Sequence, residues 1–265
     1  MARRLGAHSP RLALVRALLT PKGRREQRRF LFEGPVLLDE ARRSGVAIEA
    51  IYATQAAYDA APVIREIEAG GVDVAIVDER TAARLSDVET PTGIVAVAPQ
   101  RFERLDALLE RPGTVIVLAD LSDPGNAGSI LRSAEAFGCA GAVFGGRGVE
   151  PYHPKVVRAA MGSLFRLPIA LSDAEELRRV GLQAGRAIIG LTRPGEPLAA
   201  LPPSPVVVVG QETQGLGPWA AACSFFASIP MRESVESLNA AIAAAIVLYE
   251  TSKAQPARSQ EDPEN

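Results

Sequence analysis

The chain is 265 residues long, 47% apolar and 23% charged, with a formal net charge of −2. That balance argues against a disordered chain and fits a globular protein with a buried core; the length allows one large α/β domain or a smaller domain joined to a larger one, and the charge distribution below favours the second. No apolar run approaches the ~18 residues that cross a bilayer, and Met1-Ala-Arg-Arg-Leu5 lacks a signal-peptide apolar core, so the expectation is a cytoplasmic protein with no membrane partner.

The small net charge conceals an asymmetry. Before Phe30 there are nine Lys or Arg residues against the single acid Glu26, a local charge of +8 that leaves −10 for the remainder. Such a stretch suits a polyanion, because each cation that neutralises a phosphate releases condensed counterions; a solvated terminus is the alternative. A metal centre is not expected. Cys139 and Cys223 lack CxxC spacing, and His8 and His153 are the only histidines.

In chain order, Ser9 to Leu19 reads as a short helix with Ser9 as N-cap and Pro10 at its first position, and residues 1–19 as a basic N-terminal arm. Thr20-Pro-Lys-Gly23 breaks that helix. Phe30 to Gly34 reads as a strand, Pro35 to Arg43 as a helix, Ile48 to Tyr52 as a strand, Ala60 to Ala69 as a helix and Val72 to Val77 as a strand. The turn Glu89 to Gly93 precedes a strand at Ile94 to Ala98, which closes a compact α/β domain over 20–98.

Residues 99–112 form a linker with a short helical stretch, Glu103 to Glu110. A second domain over 113–253 then alternates strands (Thr114 to Ala119, Gly141 to Phe144, Ala187 to Gly190, Val206 to Val209, Phe225 to Ile229) with helices (126–137, 154–160, 174–183, 238–252). Apolar strands without period-2 alternation, separated by helices, predict a parallel sheet covered on both faces. Residues 254–265 have the composition of a disordered tail.

The chemistry lies in loops at the carboxyl ends of strands, where open α/β sheets bind ligands. In Asp123-Pro-Gly-Asn126, Asn126 suits a helix N-cap and equally a ligand hydrogen bond, while Arg132 suits an ion pair with Glu135 or an anion contact. Lys155 and Arg158, three apart on one helix, present both cations on one side, where a phosphate or only solvent can lie; His153 between turn prolines reads as structural. Gly210-Gln-Glu-Thr-Gln-Gly215 matches neither a Walker loop nor GxGxxG; Gly210 allows close backbone approach, and Glu212 is a carboxylate at a strand end or a solvated loop residue. Ser237 suits an N-cap, which would leave the Asn239 amide facing a ligand. Three Gly/Asn-rich loops at strand ends, each with one or two polar side chains, suit a nucleoside-type cofactor held by backbone groups; the lack of a Ser-His-Asp or Cys-His set narrows the enzyme classes without naming one.

Asp123-Pro-Gly-Asn-Ala-Gly-Ser-Ile-Leu-Arg132, Gly210 to Gly215, and Ile229-Pro-Met231 through Ser237-Leu-Asn239 resemble, in order, the three motifs of the SpoU (TrmH-like) branch of the SPOUT RNA methyltransferases. Pro151 to Ser163 is similar to that family's segment between the first two motifs, and residues 20–98 are similar to the ribosomal-protein-like substrate domain that often precedes the catalytic one. Two departures are Ala127 in place of a larger aliphatic residue and Gln211-Glu212-Thr213 in place of a more glycine-rich run.

The resemblance implies an α/β catalytic domain with a parallel sheet and a deep C-terminal trefoil knot, a homodimer, and methyl transfer from S-adenosylmethionine to a ribose 2′-hydroxyl of RNA. It implies a catalytic set of Asn126, Arg132, Glu212, Ser237 and Asn239, and a cofactor set of Gly210, Ile229, Met231, Leu238 and Asn239. RNA contacts are expected from Arg24, Arg25, Arg28, Arg29, Lys155 and Arg158. The expected substrate is ribosomal (23S) RNA, with transfer RNA or a non-catalytic RNA-binding or ribosome-assembly role as alternatives.

Overall fold

The computed structural model describes residues 2–7, 9–198, 201–211 and 213–253. Its elements run β1 (Arg3–Arg4), α1 (Pro10–Ala17), α2 (Pro21–Gln27), β2 (Arg29–Glu33), α3 (Pro35–Arg43), β3 (Ala50–Ala53), α4 (Gln55–Ala60), α5 (Pro62–Ala69), β4 (Asp73–Ile76), α6 (Glu79–Leu85) and β5 (Ile94–Pro99). They continue with α7 (Leu105–Glu110), β6 (Val115–Leu118), α8 (Pro124–Ala136), β7 (Gly141–Gly145), α9 (Pro154–Ala160), α10 (Ser163–Arg166), β8 (Ile169–Ser172), α11 (Ala174–Gln183), β9 (Ile188–Pro197), β10 (Val206–Val209), a 3₁₀ helix (Gly217–Ala222), β11 (Phe225–Ser228) and α12 (Ala240–Lys253). The expected tail 254–265 lies outside the described residues.

The chain divides into two compact units, residues 1–101 with 150–166, and residues 102–149 with 167–265. The first unit holds a mixed sheet of order β1-β4-β3-β5-β2, in which β1, β4 and β3 are parallel while β5 runs antiparallel to both β3 and β2. Leu12, Val15 and Leu18 pack with Leu31, Tyr52 and Val95 into its core. The segment read as a separate arm is therefore part of this domain, fixed by the apolar face of α1.

Residues 150–166, read from sequence as part of the second domain, pack with the first. The reason is aromatic: Tyr152 packs on Phe30 with centroids 4.6 Å apart and rings tilted by 39°, and Phe165 meets Phe32 edge-on at 5.3 Å, while the Tyr152 hydroxyl donates to the Arg101 carbonyl at 2.7 Å. Such pairs add to the burial of large rings. Helix α2 falls in the stretch read as a helix break, because the Thr20 hydroxyl accepts from Gly23 N–H and Pro21 sits at the first helical position.

The second unit holds a six-stranded sheet of order β11-β9-β10-β6-β7-β8, with every pairing parallel. All four residues of β6 and of β10 are buried, as uninterrupted Val/Ile/Leu runs require when helices cover both faces. Each fully buried side chain there contributes about 2 kcal/mol of transfer free energy. Leu105, Leu108 and Leu109 of α7 with Leu177 and Val180 of α11 complete one buried layer.

Candidate active site

The loops that follow β10 and β11, with the far end of β9, enclose a cleft of about 240 Å³ in the second unit. After β10 the chain doubles back at once: Gln211 N–H donates to the Gly215 carbonyl and Gly215 N–H to the Gln211 carbonyl, both at 2.9 Å. The Gly215 carbonyl then lies over Gly210, where a Cβ has no room. A bare backbone at Gly210 is thus a steric requirement of the loop, and it lines the cleft.

One wall was invisible in the sequence. β9 pairs with β11 through Gly190 opposite Phe226, but the next pair is Glu196 opposite Ala227, so residues 191–195 leave the ladder as an extended excursion. Leu191, Thr192 and Arg193 of this excursion line the cleft. It is fastened by Ser228 Oγ donating to the Gly195 carbonyl at 2.8 Å and by Arg193 Nη1 donating to the Val235 carbonyl at 2.7 Å. The sequence reading ends this strand at Gly190, and Thr192-Arg-Pro-Gly195 has turn composition that gives no local sign of the extended segment lining the cleft.

Ile229, Met231, Ser237 and Leu238 line the cleft as well. Asn239 does not. It sits between the lining residues Leu238 and Ala240 and is the cap of α12, its Oδ1 accepting from Ala241 N–H at 2.9 Å and Ile242 N–H at 3.2 Å. Its Nδ2 donates to Asn126 Oδ1 at 3.0 Å, joining the first and third motifs. Two expectations are corrected: Ser237 lies two residues before the cap of α12, and the Asn239 amide is engaged within the protein. Asn126 is likewise not the cap of α8, since Asp123 Oδ1 accepts from Asn126 N–H at 2.7 Å.

Arg132 is exposed on α8 and has no hydrogen bond or ion pair among the described residues, so of its two readings the ion pair with Glu135 is not realised. Glu212 lies outside the described residues. The thiols of Cys139 and Cys223 are pushed up by burial, to about 12 and about 11, and neither is a nucleophile at neutral pH.

The six cations assigned to RNA all lie in the first unit, in different surroundings. Arg24 is 1% exposed; its guanidinium donates to Glu150 Oε2 at 2.7 and 2.9 Å and to the Leu18 and Leu19 carbonyls at 3.0 Å, so it is a structural residue and not an RNA contact. Arg29 is paired with Glu49 and Arg158 with Asp87. Arg25, Arg28 and Lys155 are exposed. His153 accepts from Lys155 N–H at 3.1 Å as the cap of α9, and burial and the nearby Arg24 charge hold its pKa below the ordinary value, in keeping with a structural role.

Residues 113–249 match the model of the SpoU rRNA methylase family, and residues 9–96 that of the MRM3-like substrate binding domain. The chain belongs to the SpoU rRNA methylase family. Among its relatives is a 23S rRNA (uridine(2479)-2′-O)-methyltransferase of Streptomyces viridochromogenes, 38% identical over 61% of this chain; the match spans 60% of that protein, under two thirds of its length. A 23S rRNA (guanosine(2553)-2′-O)-methyltransferase of Bacillus subtilis is 29% identical over 88% of this chain and 92% of its own length. An S-adenosylmethionine-bound rRNA methyltransferase from Sinorhizobium meliloti superposes with a TM-score of 0.85 at 28% identity, covering 97% of this chain and 99% of that one.

The lining suits S-adenosylmethionine on chemical grounds. Leu191, Val209, Ile229 and Leu238 offer apolar contact to a purine, the Thr192 and Ser237 hydroxyls can hydrogen-bond a ribose, and the Glu236 carboxylate complements a cation. Family membership makes the protein an S-adenosylmethionine-dependent RNA methyltransferase.

Proposed function

We propose that this protein methylates a ribose 2′-hydroxyl of 23S ribosomal RNA. The observation that carries the reading is the composite cleft, in which Gly210, Ile229, Met231 and Leu238, scattered over 29 residues of sequence, line one cavity of nucleoside-compatible chemistry. The curated relatives described above act on 2′-oxygens of a uridine and of a guanosine, which supports ribose chemistry common to both bases and leaves the base to be chosen elsewhere in the complex.

The bound cofactor supplies an electrophilic methyl carbon on a sulfonium leaving group. The protein's task is to hold the 2′-oxygen in line with that carbon while the hydroxyl proton passes to solvent water, so that positioning is a large part of the catalysis. A guanidinium is a poor base; in this reading Arg132 clamps the adjoining phosphate and stabilises charge developing on the 2′-oxygen. The Asn126–Asn239 hydrogen bond fixes the start of α8, which carries Arg132, against the start of α12. Glu212 completes the catalytic set by resemblance.

The same reading includes a C-terminal trefoil knot, supported by the placement of β9 between β10 and β11 and by packing of α12 on α8. It includes a homodimer, supported by exposed Ile242 and Tyr249 on α12, and action in the cytoplasm, where ribosomes are assembled. RNA reaches the protein through the exposed cations of the substrate-binding domain.

Calorimetry with S-adenosylmethionine, followed by methyl transfer from labelled cofactor to 23S RNA and to transfer RNA, tests the proposal. Cofactor binding with label in 23S RNA is expected. Label in transfer RNA alone would replace the substrate, and absence of cofactor binding would favour a non-catalytic RNA-binding protein.

A further inference from the structure

Asp120, two residues past β6, has φ +54°, the left-handed region that non-glycine residues other than Asn and Asp rarely occupy. Three segments converge on it. Its Oδ1 accepts from Arg147 N–H at 3.1 Å in the loop after β7, its Oδ2 accepts from Trp219 Nε1–H at 2.9 Å on the 3₁₀ helix, and its carbonyl accepts from Gln211 Nε2–H at 2.6 Å on the cleft loop. The surroundings admit nothing larger: a Cβ at Gly145 would collide with the Asp120 carboxylate and with Trp219, and one at Gly148 with the Asp120 backbone. Gln211 lines the cleft, and Trp219 is 2% exposed and the only tryptophan in the chain.

We infer that Asp120 is a positioning residue for cofactor binding: its carboxylate, locked by Arg147 and Trp219, aims its own carbonyl at Gln211 and so sets the shape of the Gly210–Gly215 loop. This rests on the reading of the cleft as the S-adenosylmethionine site. Both carboxylate oxygens are occupied by donors, so the group is an acceptor used twice, a role that neither Gly nor an amide fills completely. The left-handed backbone turns the carbonyl of Asp120 back toward the loop, and Gln211, one of the residues that depart from the family's glycine-rich run, is the donor that meets it.

The test uses the intact protein and three variants, Asp120→Gly, Asp120→Asn and Gln211→Met. Asp120→Gly keeps the backbone region open to the chain and removes the carboxylate, while Gln211→Met keeps length and removes the donor. Calorimetric titration with S-adenosylmethionine is expected to show about tenfold weaker binding in Asp120→Gly and in Gln211→Met, the ratio for loss of about one hydrogen bond. Asp120→Asn, able to accept from one of the two donors, should fall between these and the parent. Because both groups act along one chain of contacts, the double variant Asp120→Gly/Gln211→Met should bind no more weakly than the weaker single variant. Emission of Trp219 should shift in Asp120→Gly and stay unshifted in Gln211→Met.

Unchanged affinity in a folded Asp120→Gly, or additive losses in the double variant, would overturn the inference and leave Asp120 a structural tie. If Asp120→Gly does not fold, Gln211→Met decides the matter by itself, since unchanged affinity there removes the link to the cleft. Failure of the parent protein to bind S-adenosylmethionine is a separate result that overturns the reading of the cleft.

Discussion

At the scale of single residues, the site contrasts an exposed cation with side chains bound into the scaffold. Arg132 is exposed and without a partner among the described residues, whereas Asn126 and Asn239 hold each other and Asp123 caps α8. Arg132→Ala should therefore abolish methyl transfer while leaving cofactor affinity and thermal stability near those of the parent; retention of most turnover would remove Arg132 from the mechanism. Arg24 is the opposite case. Its removal leaves the Leu18 and Leu19 carbonyls unpaired around a buried void and Glu150 with only the longer Arg25 contact at 3.7 Å, and Arg24→Ala should cost about 3 kcal/mol in denaturant unfolding. Arg25→Ala, at an exposed side chain, should leave stability within about 0.5 kcal/mol and weaken RNA binding instead.

Residue type alone could not separate these arginines. Arg24, Arg25, Arg28 and Arg29 are one basic run in sequence, and only the packing of α2 sends Arg24 inward to Glu150, 126 positions away. The motif residues were easier to read, because Gly210, Ile229, Met231 and Leu238 mark a cleft through backbone shape and apolar character, properties that spacing preserves.

At the scale of elements, the buried strands of the second unit were legible because four-residue apolar runs between helices allow few alternatives. Thr114 to Ala119 and Val206 to Val209 were expected as strands and lie side by side as β6 and β10. The excursion of residues 191–195 was not legible. It depends on where β11 resumes pairing with β9, a tertiary register that no local pattern encodes. Helix starts were displaced for a similar reason, as several polar residues near each start compete for the cap and geometry selects Asp123 and Asn239. The loop after β10 gives the prediction at this scale. Gly210→Ala forces the Gly215 carbonyl out of place and should weaken S-adenosylmethionine binding by at least about tenfold, with little change in the far-ultraviolet circular dichroism. Parent-like affinity would mean that the turn is not part of the cofactor site.

At the scale of the molecule, the sequence division near residue 100 corresponds to two units, with one exchange: residues 150–166 leave the catalytic sequence and pack with the substrate-binding domain. The contacts responsible join residues more than 100 positions apart, such as Phe30 with Tyr152 and Arg166 with Glu40, which a linear reading cannot pair. The charge asymmetry follows the same division, with the basic N-terminal run folded into the domain whose family model is named for substrate binding.

Mapping 2′-O-methyl positions in total RNA from cells with and without the gene shows whether the cleft serves methylation of a 23S ribosomal ribose. Deletion should abolish methylation at one 23S position, which the parent gene restores and the Arg132→Ala variant does not. An unchanged map of 23S RNA, or a loss confined to transfer RNA, would contradict that role.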